Sequence, residues 1–153
     1  MIHLSGGQTD LAKRNKDQSY LRNIDATDRQ EGCIFCEVRD RQISAENEYA
    51  YASPDSYAVT PGHTLIIPKR HVQECFDLSE AERESIFNLL QFSRKQLQKA
   101  DKNISGFNIG VNCGESAGQS IMHCHIHLIP RRQGDVTNPR GGVRGVIPQK
   151  MNY

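Results

Sequence analysis

Tryptophan is absent, aromatic residues make up only 7% of the chain, and no apolar run approaches the roughly 18 residues that a membrane-crossing helix requires. A helical membrane protein is excluded. The first ten residues, Met1 to Asp10, lack a basic leader followed by an apolar stretch, so export is not expected and the expected address is cytoplasmic. An excess of one charge is missing as well, since 19 Lys and Arg face 18 Asp and Glu for a net +1. Coating nucleic acid through bulk charge needs a basic surplus, so no nucleic-acid partner is expected. The imbalance is local: Arg131, Arg132, Arg140, Arg144 and Lys150 stand near the C-terminus against Asp135 alone. Such a tail suits a phosphate-rich ligand and equally suits plain solvation. Cysteines are few and odd in number, five in all (Cys33, Cys36, Cys75, Cys113, Cys124), which points to thiols or metal ligands rather than a disulfide framework. At 153 residues a single domain can bury an adequate core without such staples.

Along the chain, residues 1–31 are polar with scattered apolar anchors and read as an extension holding at most one helical turn. The body spans 32–132, and 133–153 form a tail rich in Gly and Arg. From Tyr49 to Ile67 the sequence reads as a meander of two or three short strands, drawn from Tyr49 to Ser53, Ser56 to Thr60 and His63 to Ile67, with breaks at Pro54-Asp55 and Pro61-Gly62. Ser79 followed by Glu82 is a capping box. Ile86, Leu89, Leu90, Ser93 and Leu97 then recur at helical spacing as far as Ala100. Phe107, Ile109 and Val111 alternate with Asn108, Gly110 and Asn112, which predicts a strand. A turn-rich loop follows, and Gln119 to Ile129 alternates again. Short strands around one long helix, without β-α-β alternation, predict an α+β fold with an antiparallel sheet.

The segment from Ile121 to Ile129 carries the most information. In an extended chain His123, His125 and His127 share one side while Cys124, Ile126 and Leu128 face the core. Neutral imidazole is costly to bury without partners, so three side by side on one face indicate metal binding, nucleophilic catalysis or both. Cys33 and Cys36 offer two thiolates at a spacing common in structural zinc sites, with His71 and one of the alternating histidines as further candidates. A thioredoxin-like redox role for this pair would need a β-α-β context that the chain does not provide.

The stretch from Gly118 through His123, His125 and His127 to Ile129 resembles the signature of the histidine triad (HIT) superfamily of nucleotide hydrolases and transferases. The block from Asp55 through Gly62-His63 to Pro68-Lys-Arg-His71, and the Cys33-Ile-Phe-Cys36 pair, resemble the same superfamily. The resemblance implies an antiparallel sheet of about five strands with one long helix and shorter ones.

It also implies site residues. His125 would be the nucleophile at the α-phosphate, forming a covalent nucleotidyl enzyme, with His127, His63 and Gln119 completing the catalytic set. Asp55 would bind ribose, Asn112, Ser120 and Ser116 would contact phosphate, and Phe35 would wall the base. Cys33, Cys36, His71 and His123 would hold a structural zinc ion. Dinucleoside polyphosphates or nucleoside phosphoramidates are the implied substrates, and a homodimer the implied assembly. Nucleotidyl transfer to another acceptor and slow-turnover scaffolding are the alternatives; a zinc-stabilised nucleic-acid module is disfavoured by the near-neutral charge.

Overall fold

The computed structural model describes residues 28–38 and 41–153, together with the backbone of residues 3 and 4. Its strands are β1 (His3–Leu4), β2 (Ala45–Glu46), β3 (Ala50–Pro54), β4 (Thr64–Pro68), β5 (Ile104–Val111) and β6 (Ile126–Arg132). All neighbours pair antiparallel in the order β1-β2-β3-β4-β6-β5. With the long helix α1 (Glu80–Ala100), the strands β2 to β6 make the expected five-stranded α+β arrangement, and β1 adds a two-residue edge pairing. The helical turn expected within the N-terminal extension lies outside the described residues.

The helix starts where its sequence demands. The Ser79 hydroxyl accepts the Glu82 backbone N–H at 3.2 Å, and the Glu82 carboxylate accepts the Ser79 N–H at 2.8 Å, so two otherwise orphaned donors are satisfied. Arg70 grips the same carboxylate through two bonds of 2.7 and 2.8 Å. Ile86, Leu89, Leu90 and Ser93 form the buried stripe.

β3 and β4 are buried on both faces because different layers cover them. On one side α1 packs Ile86, Leu89 and Leu90 against Ala50, Ala52, Ile66, Cys124, Ile126 and Leu128. On the other, the segment around Cys33 packs Phe35 and Val38 against Tyr51, Leu65 and Ile67. Alternation assigns each residue to its layer: Leu65 and Ile67 meet the cysteine segment, and Ile66 between them meets the helix. The Tyr51 hydroxyl donates to the Phe35 carbonyl at 2.7 Å and ties the second layer down. Leu89 is fully buried, and Leu89→Ala is expected to cost about 2–5 kcal/mol in a denaturant titration.

The meander has two strands rather than three, and one expected strand is shorter than its alternation suggests. Ser56 to Thr60 is a turn, not a strand: Asp55 Oδ1 accepts the Tyr57 N–H at 2.8 Å, and Gly62 closes the connection at φ +89°. Tyr57 and Val59, the apolar residues that suggested pairing, are exposed. The alternating run from Gln119 does not extend as one strand either, because the ladder begins only at Ile126 and residues 121–123 bend. His123 is drawn into the cysteine layer, where its Nε2 meets the Pro68 carbonyl at 2.9 Å. The tail, expected to be loop, contains two short 3-10 turns, Gly142–Val146 and Pro148–Lys150.

Candidate active site and metal centre

Four side chains from three separate segments converge beneath the bend. Cys33 Sγ lies 3.4 Å from His123 Nδ1, and Cys36 Sγ lies 3.4 Å from His71 Nδ1 and 3.5 Å from His123 Nδ1. All four ligand atoms fall within 4.8 Å of one another. A tetrahedral zinc ion with Zn–S near 2.3 Å and Zn–N near 2.05 Å would place sulfur and nitrogen about 3.6 Å apart. The set therefore fits zinc in type, number and spacing. His123 donates its Nε2–H to Pro68, which turns Nδ1 toward the sulfurs, the outer hydrogen bond that ligating histidines require. Burial holds His123 down near a pKa of about 4, so its imidazole is neutral and ready to ligate. Burial, with Cys33 adding to it, pushes the Cys36 thiol up to about 11. A dication reverses that preference, so binding would release thiol protons.

The next two histidines point elsewhere. His125 Nδ1 lies 2.8 Å from the His123 carbonyl, which can only accept, so the proton sits on Nδ1 and Nε2 presents a lone pair. No hydrogen bond reaches that Nε2 among the described residues. The Phe35 ring packs against His125 at 5.0 Å and His123 at 5.8 Å, fixing both imidazoles.

His127 meets His125 with ring centroids 5.2 Å apart. It pairs across the sheet with Leu65, which brings His63, two residues earlier on the same face, into diagonal reach. His63 Nδ1 accepts the Val59 N–H at 3.2 Å, so its proton is on Nε2 and is donated to His127 Nδ1 at 2.9 Å. His127 consequently carries its own proton on Nε2. Asp55 Oδ2 lies 3.4 Å from His63 Nε2 and 3.8 Å from His127 Nδ1. Asp55, His63 and His127 are close enough to cage a cation. The Val59 donor nonetheless keeps His63 Nε2 protonated, which makes the group a hydrogen-bond chain.

The remaining expected residues divide. Gly110 pairs with His127 and Val111 with Ile126, so the next residue, Asn112, comes level with His125. Gln119 is buried and fully engaged: its Oε1 accepts from Gly114 N–H at 2.8 Å, and its Nε2 donates to the Gln73 and Ile121 carbonyls at 2.7 and 3.2 Å. Ser116 and Ser120 are exposed on the same loop. Phe35 is 2% exposed and belongs to the second core, while its neighbour Ile34 is half exposed. A backbone carbonyl behind His125 was expected, but which carbonyl was not, and neither the Pro68 carbonyl behind His123 nor the Val59 amide on His63 was foreseen, because backbone partners leave no mark in residue identity.

Burial lowers the pKa of both His63 and His127 below the usual 6.5, although Asp55 pulls each the other way. The unfolded chain takes up protons near pH 6.5 while these folded rings do not. Stability is therefore fully present above that pH and falls as the pH drops through it. The unfolding midpoint is expected to decline from about pH 6.5 downward, and less steeply in His63→Gln. An equal decline in both proteins would contradict this assignment.

Together, an antiparallel α+β sheet, a Cys2His2 cluster and alternating histidines with fixed tautomers define a histidine-triad protein. The HIT domain profile matches residues 37–134. The chain is 38% identical over 115 residues to AP-4-A phosphorylase of Mycobacterium tuberculosis, covering 71% of this chain and 56% of that one. A HIT family protein from Bacillus anthracis superposes with a TM-score of 0.64 at 38% identity, over 70% of this chain and 78% of that one. A Zn-bound histidine triad family protein from Mycobacterium smegmatis superposes equally well, at 0.64 with 29% identity, over 70% and 80% of the two chains. The chain belongs to the HIT family.

Proposed function

We propose that the protein is a nucleotide hydrolase acting at the α-phosphate of dinucleoside polyphosphates or nucleoside phosphoramidates. The observation that carries this is the 2.8 Å bond from His125 Nδ1–H to the His123 carbonyl, which leaves Nε2 as a nucleophile needing no base to deprotonate it. Nε2 attacks the α-phosphorus, a P–N bond forms, and the bond to the leaving group breaks. The His123 carbonyl then stabilises the positive charge that develops on the ring. His127, whose Nε2–H is fixed by the His63 chain, donates a hydrogen bond that disperses the charge developing on the leaving group; a phosphate leaving group departs as its anion and an amine takes its proton from solvent. Water attacks the phosphoramidate in the second step, releasing the nucleoside monophosphate and restoring His125.

Asn112, level with the nucleophile, and the exposed Ser120 and Ser116 hydroxyls are the donors for the phosphate oxygens. Gln119 serves by holding their loop to the Gln73 carbonyl. Asp55 offers a ribose hydroxyl its Oδ2, since Oδ1 is occupied by the Tyr57 N–H. Phe35 supports the base region through Ile34, the exposed apolar residue beside it. Cys33, Cys36, His71 and His123 would hold a zinc ion whose contribution would be cohesion, since four protein ligands would leave no position for substrate. A homodimer is part of the proposal, supported by the edge strand β5, where Ile109 is 50% and Val111 37% exposed.

The similarity to a phosphorylase favours a second reading, in which inorganic phosphate replaces water as acceptor. Turnover in oxygen-18 water separates the two. Hydrolysis places the label in the nucleoside monophosphate. Unlabelled product that appears only when phosphate is added establishes transfer instead.

A further inference from the structure

Away from the triad and the Cys2His2 cluster, two more thiols touch. Cys75 opens the short turn Cys75–Asp77 that leads into α1, and Cys113 stands on the loop that follows β5. Their Sγ atoms are 3.3 Å apart, and both residues are half-buried, so neither is sealed from small solutes. A disulfide has sulfurs about 2.05 Å apart, so closure needs an approach of little more than about 1 Å.

The backbones carrying them are already held side by side by contacts that do not involve sulfur. Gln119 bridges the Gln73 carbonyl and the Gly114 N–H, residues two before Cys75 and one after Cys113. A side chain at Gly114 would lie within 3.8 Å of Glu74 Oε1. The other thiols are placed differently: Cys33 and Cys36 belong to the metal cluster, and Cys124 is buried in the core under α1.

We infer that Cys75 and Cys113 form a redox-modification site at which a hydroperoxide closes an intramolecular disulfide. One sulfur attacks the peroxide, the O–O bond breaks, and a sulfenic acid and an alcohol form, the alcohol being water when the oxidant is hydrogen peroxide. The second sulfur attacks the sulfenic sulfur, forming the S–S bond and expelling the hydroxyl as water. Two thiols lose one electron each, the peroxide gains both, and the two thiol protons leave in the alcohol and the water. The bond would tether the loop at Cys113, one residue from Asn112 and just ahead of the turn framed by Gly114 and Gly118, whose φ values are +86° and +87°. This inference stands whether or not His125 is a nucleophile.

The test treats zinc-loaded protein with hydrogen peroxide, blocks remaining thiols by alkylation and maps the peptides. The expected result is a single intrachain link between Cys75 and Cys113, reversible by dithiothreitol, with zinc retained. The unfolding midpoint should rise by roughly 5–10 °C on oxidation. Cys113→Ala should lose both the link and the rise, and Cys75→Ala/Cys113→Ala provides a second, matched control. Free alkylatable thiols at both positions after oxidation, a link between two chains, or over-oxidation of one cysteine beside an unreacted partner would overturn the inference.

Discussion

His125→Ala is expected to reduce turnover by at least about a thousandfold while nucleotide affinity changes by less than about tenfold. The asymmetry follows from geometry. The side chain removed supplies an Nε2 lone pair turned away from the Cys2His2 cluster, its proton fixed on the far nitrogen by the His123 carbonyl at 2.8 Å. The rest of the site does not depend on it: the Val59–His63–His127 chain and the Gln119 staple make no bond to His125. Binding groups therefore stay in place while the covalent step disappears. Single-turnover kinetics with a dinucleoside polyphosphate, paired with equilibrium binding of a nucleoside monophosphate, measures the two quantities. Equal losses in rate and affinity would mean that His125 holds substrate rather than attacking it.

The second large effect concerns the metal. Protein purified without chelator is expected to contain one zinc per chain, and Cys36→Ser should abolish it and lower the unfolding midpoint by about 10 °C or more. The reason lies in what the cluster joins. Cys33 and Cys36 come from the segment that covers one sheet face, His71 follows β4, and His123 precedes β6. Without the ion, Cys36 is a buried neutral thiol among imidazoles, and the layer is held by apolar packing of Phe35 and Val38, the Tyr51 hydroxyl bond and the His71 N–H bond to the Asp28 carbonyl. Surviving folded molecules should retain their chemistry within several-fold, because a metal held by four protein ligands would make no contact with substrate. Elemental analysis and calorimetry decide it; metal-free protein of unchanged stability would remove zinc from the structure altogether.

Much of this arrangement was legible in the residues because local patterns coincided with tertiary ones. The Ser79–Glu82 box and the stripe from Ile86 to Leu97 describe a helix that needs no distant information to start or to orient. The alternation around Phe107 likewise appears as β5. The misread segments failed for physical reasons that alternation cannot express. Ser56 to Thr60 has strand-forming residues, yet the Asp55 carboxylate captures a nearby amide and turns the chain first. His123, Cys124 and His125 continue the period of β6 but leave its ladder, because His123 answers to Pro68, Cys33 and Cys36, distant in sequence. Gln119 was expected at the site from its place in the motif, whereas its bond to the Gln73 carbonyl was not foreseen. The Cys75–Cys113 contact was equally invisible, since no spacing rule joins residues 38 apart.

The most direct measurement is mass spectrometry of the enzyme quenched in acid-free conditions during turnover of a labelled dinucleoside polyphosphate. A nucleoside monophosphate adduct on the peptide carrying His125, absent from His125→Ala, is the predicted result. Turnover that proceeds with no adduct at any time point, or an adduct carried by a different residue, would contradict nucleophilic attack by His125.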